Sequence, residues 1–473
     1  MIFNSLQFLI FFFSVLALYY CVQRKGWQLA VLLGSGLVFY GWNNPWLLLL
    51  LGACIIINAA TSYLLSKISQ RRAQIIVAIL GVALNLCILA AFKYAHMIVH
   101  SLGVLTMLDL SRIEPITLLV NLPLPIGISF FTFEGICLLV DTLRGQTRPG
   151  KRMTHLRDTA LFISFFPHLV AGPIVRPNQF FPQIAVKNFK QIDWDYVSSN
   201  LIIGYFLKMV IADNLAALTD YGLKNYVADS TLNLLVTACA CSIRFFSDFA
   251  GYSYIALGLA AALGYRLPVN FDWPYRSQSL SEFWTRWHIS LSTWLRDYLY
   301  LPLGGNRVGK ARNHINVMIV MLLGGLWHGA AWNFVAFGGL HGLGLCLERI
   351  LGWQRIKSKT AFEQTLRTIG VFCYVTFANV FFSMPLRQSC DFLKHLALNY
   401  DLMPDWSPVI EASILCLPIL LWHVAVAVRD CERTPAPTFN FPKKIAWDFA
   451  LGTMLFFCLV NPGPQRTFVY FQF

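Results

Sequence analysis

Apolar stretches of about 18 or more residues recur along this chain from end to end, and they limit its possible folds more than any other feature. A stretch of that length is typical of a helix that crosses a bilayer, because a helix satisfies its own backbone hydrogen bonds in lipid. Of the 473 residues, 57% are hydrophobic and 13% are charged, and this charged share is about half that of a soluble domain. The sequence therefore predicts an all-α polytopic membrane protein, with residues 1–473 forming a single membrane domain.

The distribution of basic residues predicts the orientation of the chain. The net charge of +14 is interpreted as belonging mainly to cytoplasmic loops, so nucleic acid is not expected as a partner. The connections after the first, third and fifth predicted spans hold ten Lys and Arg residues, whereas the connections between them hold two. The ten are Arg24, Lys25, Lys67, Arg71, Arg72, Arg144, Arg148, Lys151, Arg152 and Arg157, and the two are Lys93 and Arg112. This bias predicts an N-terminus that faces away from the cytoplasm.

About 11–12 crossings are predicted, together with re-entrant and interfacial helices. The spans cover 2–22, 27–42, 44–66, 75–92, 120–143, 197–219, 232–264, 366–385, 408–428 and 444–461. The segment 160–175 is broken by proline and glycine and is expected to be re-entrant. Segments 304–313 and 350–367 are both basic, so we expect the chain between them to enter the membrane and return as a hairpin that turns near 330–333.

Two histidines lie in that hairpin, His328 in "GLWHG" and His341 in "GGLHG". Ionisable residues in membrane segments are candidate functional residues because their burial is costly. Glycines four residues apart accompany them, Gly325 with Gly329 and Gly338 with Gly342, and this spacing lets helices approach closely. Helix packing with a hydrogen-bonded histidine is an equally good explanation. The histidines lack the i, i+4 spacing of a helical zinc pair, so no metal is expected.

The segment 281–305, "SEFWTRWHISLSTWLRDYLYLPLGG", is predicted to form one amphipathic helix at the membrane interface. Helical spacing divides its side chains into two stripes. Trp287, Leu291, Trp294 and Tyr298 form the aromatic stripe, and His288, Ser292 and Arg296 form the polar one. A simple interfacial anchor with a solvated histidine is the alternative interpretation.

Charged residues also occur in two later spans. Arg244 and Asp248 are four residues apart, which predicts a buried ion pair. Lys208 lies near Asp213 and Asn214 in the span before, where extension of the lysine toward the membrane interface is sufficient to explain it.

Several of these segments resemble the membrane-bound O-acyltransferase family. They are "LPLPIGISFFTFEGICLLVD", "GPIVRPNQF", "FSDFAGYS", "NFDWPYRSQSLSEFWTRWHISLSTWLRDYLYLPLGGNR", "GGLWHGAAWNFVAFGGLHG" and the terminal "FVYFQF". The resemblance is densest from 123 to 345 and is closest to the membrane subunit of alginate O-acetylation. His168 stands where the family commonly has glutamine, and "NVFFSMP" replaces its usual "WVFFR"-like stretch.

The resemblance implies that His328 and His288 line a central tunnel in which acyl donor and hydroxyl acceptor meet. Acyl transfer to a hydroxyl needs a base, and a neutral histidine suits that task. We therefore predict His328 as general base and His288 as a hydrogen-bonding partner that orients or polarises. The remaining predicted site residues shape the tunnel or supply polar contacts, and they are Trp327, Trp332, Asn333, Asp248, Arg296 and His341.

Acetyl-CoA is the acyl donor that the resemblance implies. The basic loop residues Arg307, Lys310 and Arg312 are candidates for its phosphates, although ordinary positive-inside charge explains them equally well. The resemblance also implies a bacterial inner-membrane location, in contact with membrane lipid. It further implies a periplasmic acetyltransferase partner, polysaccharide export machinery and an exported polysaccharide as the acetylated polymer.

Three alternatives stay open from the sequence. In the first, a protein of the same fold acylates teichoic acid, lipid or protein. In another, the chain is a proton-coupled polytopic transporter that uses His328 and His288 as a relay, although no inverted repeat is visible. In the third, the chain is a membrane scaffold whose histidines tolerate substitution.

Overall fold

The computed structural model describes residues 1–107, 114–120, 122–353, 360–431 and 441–469. Within these ranges the chain is helical and has no β-strand, which confirms the predicted all-α class. The chain forms two compact units, Met1–Ser198 with Ala256–Pro268 and Ser199–Ile255 with Val269–Phe473. The single membrane domain over 1–473 stays a prediction. Arg112 and residues 470–473 of the terminal motif lie outside the described residues.

The first part of the chain is a series of apolar helices. They are α1 (Leu6–Cys21), α2 (Lys25–Gly41), α3 (Leu47–Lys67), α4 (Arg71–Leu89), α5 (Ala95–Thr106), α6 (Glu114–Val120), α7 (Ile128–Leu143), α8 (Arg152–Ser164), α9 (Phe166–Leu169) and α10 (Pro177–Phe180). A π-helical turn, Ala90–Tyr94, joins α4 to α5. The segment predicted to be re-entrant is the end of α8, the single turn α9 and an irregular stretch, so the helix is broken there.

Polar side chains of the first unit pair across helices. Asn58 and Asn85 donate to each other's side-chain oxygens at 3.0 Å, so that α3 and α4 are joined by two amide hydrogen bonds. His168, the departure from the family pattern, places Nδ1 2.8 Å from Glu134 Oε1 on α7. Both side chains are buried, so this contact compensates part of the hydration that each loses in apolar surroundings.

The rest of the chain contains the longest helices and the predicted site residues. They are α11 (Trp194–Tyr205), α12 (Asp213–Asn225), α13 (Thr231–Ala262), α14 (Leu280–Arg286), α15 (Ile289–Leu295), α16 (Lys310–His328), α17 (Trp332–Ile350), α18 (Ala361–Ser383), α19 (Leu386–Leu398), α20 (Trp406–Cys431) and α21 (Phe441–Val460). A π-helix, Phe206–Ala212, joins α11 to α12, and another, Arg296–Tyr300, follows α15.

Among the described residues, six continuous helices are long and apolar enough to cross a membrane. They are Leu47–Lys67, Arg71–Thr106, Trp194–Asn225, Thr231–Ala262, Ala361–Ser383 and Trp406–Val424. Each coincides with a predicted span, which supports the interpretation of the chain as a multi-pass membrane protein. The other predicted crossings fall on shorter or less apolar helices, such as α1 with 16 residues.

The hairpin predicted from the charge distribution is confirmed. Helices α16 and α17 run along each other, and the chain turns between them at residues 329–331. Their backbones touch at Gly325 and Gly338, because a methyl group on Gly338 would collide with the carbonyl oxygen of Met321 and lie 3.1 Å from the Gly325 Cα. The two glycines thus replace side chains that would separate the helices.

We expect Gly338→Ala to push α16 and α17 apart and to destabilise the protein by about 1–3 kcal/mol, the usual cost of overpacking. In detergent, the melting temperature measured by intrinsic fluorescence should fall by several degrees. Gly339→Ala is the matched control, because the added methyl group would lie at an ordinary contact distance of 3.5 Å from Leu322. Equal melting temperatures for the two variants would contradict the close approach.

Candidate active site

The backbone at His288 breaks the segment that the sequence predicted as one amphipathic helix. His288 has φ +43° and ψ 54°, in the left-handed region that side chains with a Cβ rarely occupy. The prediction of a continuous helix over 281–305 is therefore wrong, and α14 and α15 meet at this residue instead. Backbone hydrogen bonds hold the turn from both sides, from Asp272 N to Arg286 O and from Ile289 N to Asn270 O, each 2.9 Å long.

The imidazole of His288 is completely buried. Its Nδ1 lies 3.1 Å from Oδ1 of Asn270, a residue of the loop before α14. The rings of Phe249, Trp327 and His328 surround it, with centroids 4.5, 5.7 and 6.5 Å away. Left-handed backbone at a buried histidine is costly, and such strain is retained mainly at functional sites.

His328 is the last residue of α16 and lies at the tip of the hairpin. Its buried ring packs against Trp327 at 5.1 Å, Phe382 at 5.4 Å and Phe337 at 6.0 Å. The structure therefore brings His288 and His328 together, although about 40 residues separate them in the sequence.

A cavity of about 310 Å³ extends from His328 along the hairpin. Its walls include Gly324, Gly325 and Gly338 near the tip, and Arg349 and Tyr300 farther along. The eleven residue steps from Gly338 to Arg349 on α17 correspond to a helix length of about 16 Å. The remaining residues of the wall are Ser281, Trp284, Thr285, Leu291, Ser292, Leu295, Arg296, Asn306, Val317, Val320, Met321, Phe337 and Leu345. The cavity is therefore apolar in its middle and has guanidinium groups in its wall.

A second, enclosed cavity of about 20 Å³ also borders His328. Its polar wall residues are His328, His341 and Asn379, and the others are Phe245, Phe283, Trp284, Trp287, Phe337, Val375 and Phe382. This volume is sufficient for about one water molecule. His328 is the ionisable residue that lines both cavities, together with Trp284 and Phe337.

The other predicted site residues occupy varied positions. His341 lines the small cavity, and Arg296 lines the large one while its Nε donates to Asp297 at 2.7 Å. Asn333 is buried but donates to the carbonyl oxygen of Phe381 at 3.0 Å, and Trp332 is 57% exposed. Neither of these two residues lines either cavity. The loop residues Arg307, Lys310 and Arg312 are exposed and are likewise absent from the cavity walls.

The predicted ion pair between Arg244 and Asp248 does not form, because the two side chains have different partners. Asp248 Oδ1 lies 2.7 Å from Nζ of buried Lys208, which is also 2.7 Å from Asp213. Asp248 Oδ2 accepts the backbone N–H of Val469 at 2.7 Å. Arg244 instead pairs with Asp220, again at 2.7 Å. The expectation that Lys208 extends to the interface is also wrong, since two carboxylates hold its ammonium group inside the unit.

Sequence reasoning missed three polar residues of the site. They are Asn270, Asn379 and Arg349, and each lies in a stretch whose other residues carried the stronger motif signal. The "NFDWPYRS" motif before α14 gave a signal for Asn270, because an asparagine before a turn commonly makes side-chain hydrogen bonds to nearby groups. Asn379 lies in "NVFFSMP", the stretch that departs from the family pattern, and Arg349 resembled an ordinary basic end of a helix.

The comparisons with known proteins fit this geometry. The model of the MBOAT, membrane-bound O-acyltransferase family matches residues 35–387, three quarters of the chain. The chain belongs to this family. It is therefore an O-acyltransferase and a multi-pass membrane protein.

Three relatives illustrate the similarity. A probable alginate O-acetylase of Pseudomonas aeruginosa is 41% identical over 357 residues, which are 74% of this chain and 66% of that protein. A probable alginate O-acetylase of Azotobacter vinelandii is 36% identical over 464 residues, 95% of this chain and 89% of that protein. A peptidoglycan O-acetyltransferase of Helicobacter pylori is 34% identical over 373 residues, 74% of this chain and 69% of that protein.

We expect Asp248→Asn to destabilise the acyltransferase by up to about 3 kcal/mol, because one of the two charges that compensate buried Lys208 is lost. The melting temperature in detergent should fall by several degrees, while the activity of the folded fraction is retained. Glu363→Gln is the control, since it removes a partly exposed i, i+4 pair with Arg367 that is worth about 0.5 kcal/mol or less. A stable but inactive Asp248→Asn protein would instead place this carboxylate in the reaction.

Proposed function

We propose that this acyltransferase transfers acetyl from cytoplasmic acetyl-CoA, so that an exported polysaccharide becomes O-acetylated. The observation that carries the proposal is the position of His328, which lies in the walls of two cavities of different size. The large cavity suits a donor with an extended arm and a charged end. The small cavity borders the same imidazole, where a hydroxyl acceptor needs a base.

The large cavity offers the acyl donor a complementary environment. Arg296 and Arg349 supply guanidinium groups, which bind phosphate oxygens in paired, charge-assisted hydrogen bonds. Arg349 is oriented by contacts to Asn313 Oδ1 at 2.5 Å and Tyr300 OH at 3.4 Å. The apolar middle of the cavity accepts the uncharged arm of the donor, so that the thioester reaches His328. The exposed residues Arg307, Lys310 and Arg312 are the rival phosphate contacts.

In the reaction, His328 acts as the general base. It accepts the proton of the acceptor hydroxyl as the hydroxyl oxygen forms a bond to the carbonyl carbon of the acetyl thioester. The carbon–sulfur bond then breaks, and the thiolate leaves with the proton that His328 returns. His288 orients the site beside His328, and Trp327 packs against both rings. No charge remains on the protein, which suits an apolar environment.

The acceptor and the direction of transfer follow from the predicted orientation. With basic loops in the cytoplasm and the N-terminus outside, the donor enters from the cytoplasmic side and acetyl leaves on the other side. We propose a bacterial inner-membrane location and a periplasmic acetyltransferase partner that completes the transfer to the polymer, beside the export machinery. The alginate O-acetylases among the relatives support this choice of polymer class.

Peptidoglycan is the second candidate polymer, because one relative is a peptidoglycan O-acetyltransferase with 34% identity. Mass spectrometry of the cell-envelope polymers from a deletion strain would distinguish them. Loss of acetyl groups from the exported polysaccharide supports that polymer as the acceptor. Loss of acetyl groups from peptidoglycan alone supports peptidoglycan instead. Complementation with the wild-type gene must restore the missing group in either case.

His328→Ala should lower acetylation of the exported polymer by about 10²–10⁴-fold, the usual contribution of a positioned general base. Polymer acetylation is measured by mass spectrometry, and the abundance of the protein in membranes is measured in parallel. His395→Ala is the control, because this histidine lies on α19 and lines neither cavity. If cells with His328→Ala acetylate at the wild-type level with normal protein abundance, the assignment is wrong.

Arg349→Ala should raise the KM for acetyl-CoA by about tenfold with a smaller change in kcat, since the loss of a charge-assisted contact costs about 1.5–3 kcal/mol. Arg307→Ala and Arg312→Ala, which change exposed residues outside the cavity wall, should leave KM within about twofold of wild type. Initial rates with radiolabelled acetyl-CoA in membrane vesicles give both constants. The reverse pattern would assign the donor phosphates to the basic loop.

A further inference from the structure

Asn270 makes the side-chain hydrogen bond to the imidazole of His288. The residue is 1% exposed and lies in the loop before α14. Its Oδ1 is 3.1 Å from His288 Nδ1, 3.2 Å from the backbone nitrogen of Ser290 and 2.9 Å from Ser290 Oγ. Its Nδ2 donates to Ser253 Oγ on α13 at 3.2 Å. The Asn270 side chain thus joins the turn at His288 to helix α13 of the same unit.

This network determines which nitrogen of His288 carries the hydrogen atom. A backbone N–H can only donate, so the Asn270 atom that faces Ser290 must be the carbonyl oxygen rather than the amide nitrogen. The same oxygen faces His288 Nδ1, and a carbonyl oxygen can only accept. Nδ1 therefore bears the hydrogen, and the neutral imidazole has its lone pair on Nε2.

The Nε2 atom of His288 is a buried acceptor that lacks a hydrogen-bond partner within the described part of the chain. Buried acceptors without partners are rare, because they lose their hydrogen bonds to water without compensation. The unfavourable acceptor coincides with the left-handed backbone of the same residue. Both features occur at one residue whose ring centroid lies 6.5 Å from that of His328, and backbone strain of this kind clusters at functional sites.

We infer that Asn270 is a positioning residue, which holds His288 in the Nδ1–H form so that the Nε2 lone pair accepts a hydrogen bond during acyl transfer. This inference rests on the proposed function. It specifies that His288 works as an acceptor, whereas a histidine with its hydrogen on Nε2 would work as a donor at the same place. Asn270 acts through His288 and does not itself contact either cavity.

The backbone and the side chain of Asn270 have separable tasks. Its carbonyl oxygen accepts the N–H of Ile289 and helps to hold the turn, which any residue at position 270 provides. Only the side-chain oxygen fixes the imidazole. Side-chain variants therefore test the positioning role without removing the backbone bond of the strained turn.

The first test compares Asn270→Leu with Asn270→Asp in the full-length protein. Leucine has a similar size but no acceptor, so we expect kcat to fall by about 100-fold with an unchanged KM for acetyl-CoA, since the loss of tautomer control affects the chemical step. Aspartate retains an oxygen toward Nδ1, and kcat should stay within about fivefold of wild type. Ser253→Ala removes the contact on the far side of Asn270 and should change kcat by less than about threefold.

The second test measures the tautomer directly. Nitrogen-15 spectra of the histidine-labelled protein in lipid separate a protonated from an unprotonated ring nitrogen, and comparison with His288→Gln assigns the signals. We expect Nδ1–H in the wild type and in Asn270→Asp, and a mixture of tautomers in Asn270→Leu.

The results of the two tests distinguish failure of the positioning role of Asn270 from failure of the proposed acetyl transfer. A hydrogen on Nε2 in the wild type, or wild-type kcat for Asn270→Leu, overturns the inference. Failure of the proposed function would instead appear as wild-type protein that transfers no acetyl group. The nitrogen-15 spectra still report the tautomer of His288 in that case. If the Asn270→Leu protein aggregates in size-exclusion chromatography, Asn270→Ala takes its place in both tests.

Discussion

The contact between the backbones of Gly325 and Gly338 determines where His328 lies. His328 is three residues beyond Gly325, at the end of α16, so a change in the separation of α16 and α17 would move the imidazole directly. Both glycines also belong to the wall of the large cavity. The absence of side chains therefore has two effects, since it lets the helices touch on one face and leaves space on the other.

Two kinds of buried polar group in the described residues differ in their surroundings. Some complete their hydrogen bonds with one another, as Asn58 does with Asn85 and as Lys208 does with its two carboxylates. Such pairing is expected where water is absent, because each group would otherwise lose its hydration without compensation. Others, His328 and His341 among them, lie on cavity walls, where they can face a substrate. A place in a cavity wall thus marks His328 and His341 as candidate functional residues, whereas His288 is identified by its left-handed backbone and its contact with Asn270.

Much of the fold could be predicted because it follows from the solvent. Long apolar runs and the position of basic loops predicted the spans and a hairpin that turns near 330–333, close to the observed turn at 329–331, since both depend on the cost of charge in lipid. The break at His288 could not be predicted, because helical spacing is the same on both sides of a single left-handed residue. His328 was identified by its motif, whereas Asn270 and Arg349 became visible only once the chain placed them beside His288 and the large cavity. The pairing of Arg244 and Asp248 was wrong because spacing of four residues permits a contact but does not decide between competing partners.

The difference in size between the two cavities bears on the fate of an activated acyl group. A thioester in the large cavity would face competition from water, which is a far more abundant nucleophile than a polymer hydroxyl. The small cavity has room for about one molecule of that size, and Trp284, His328 and Phe337 line both spaces. If acyl transfer takes place here, a larger acceptor would require the shared aromatic side chains Trp284 and Phe337 to move, and the tight packing of these rings would then limit hydrolysis of the thioester.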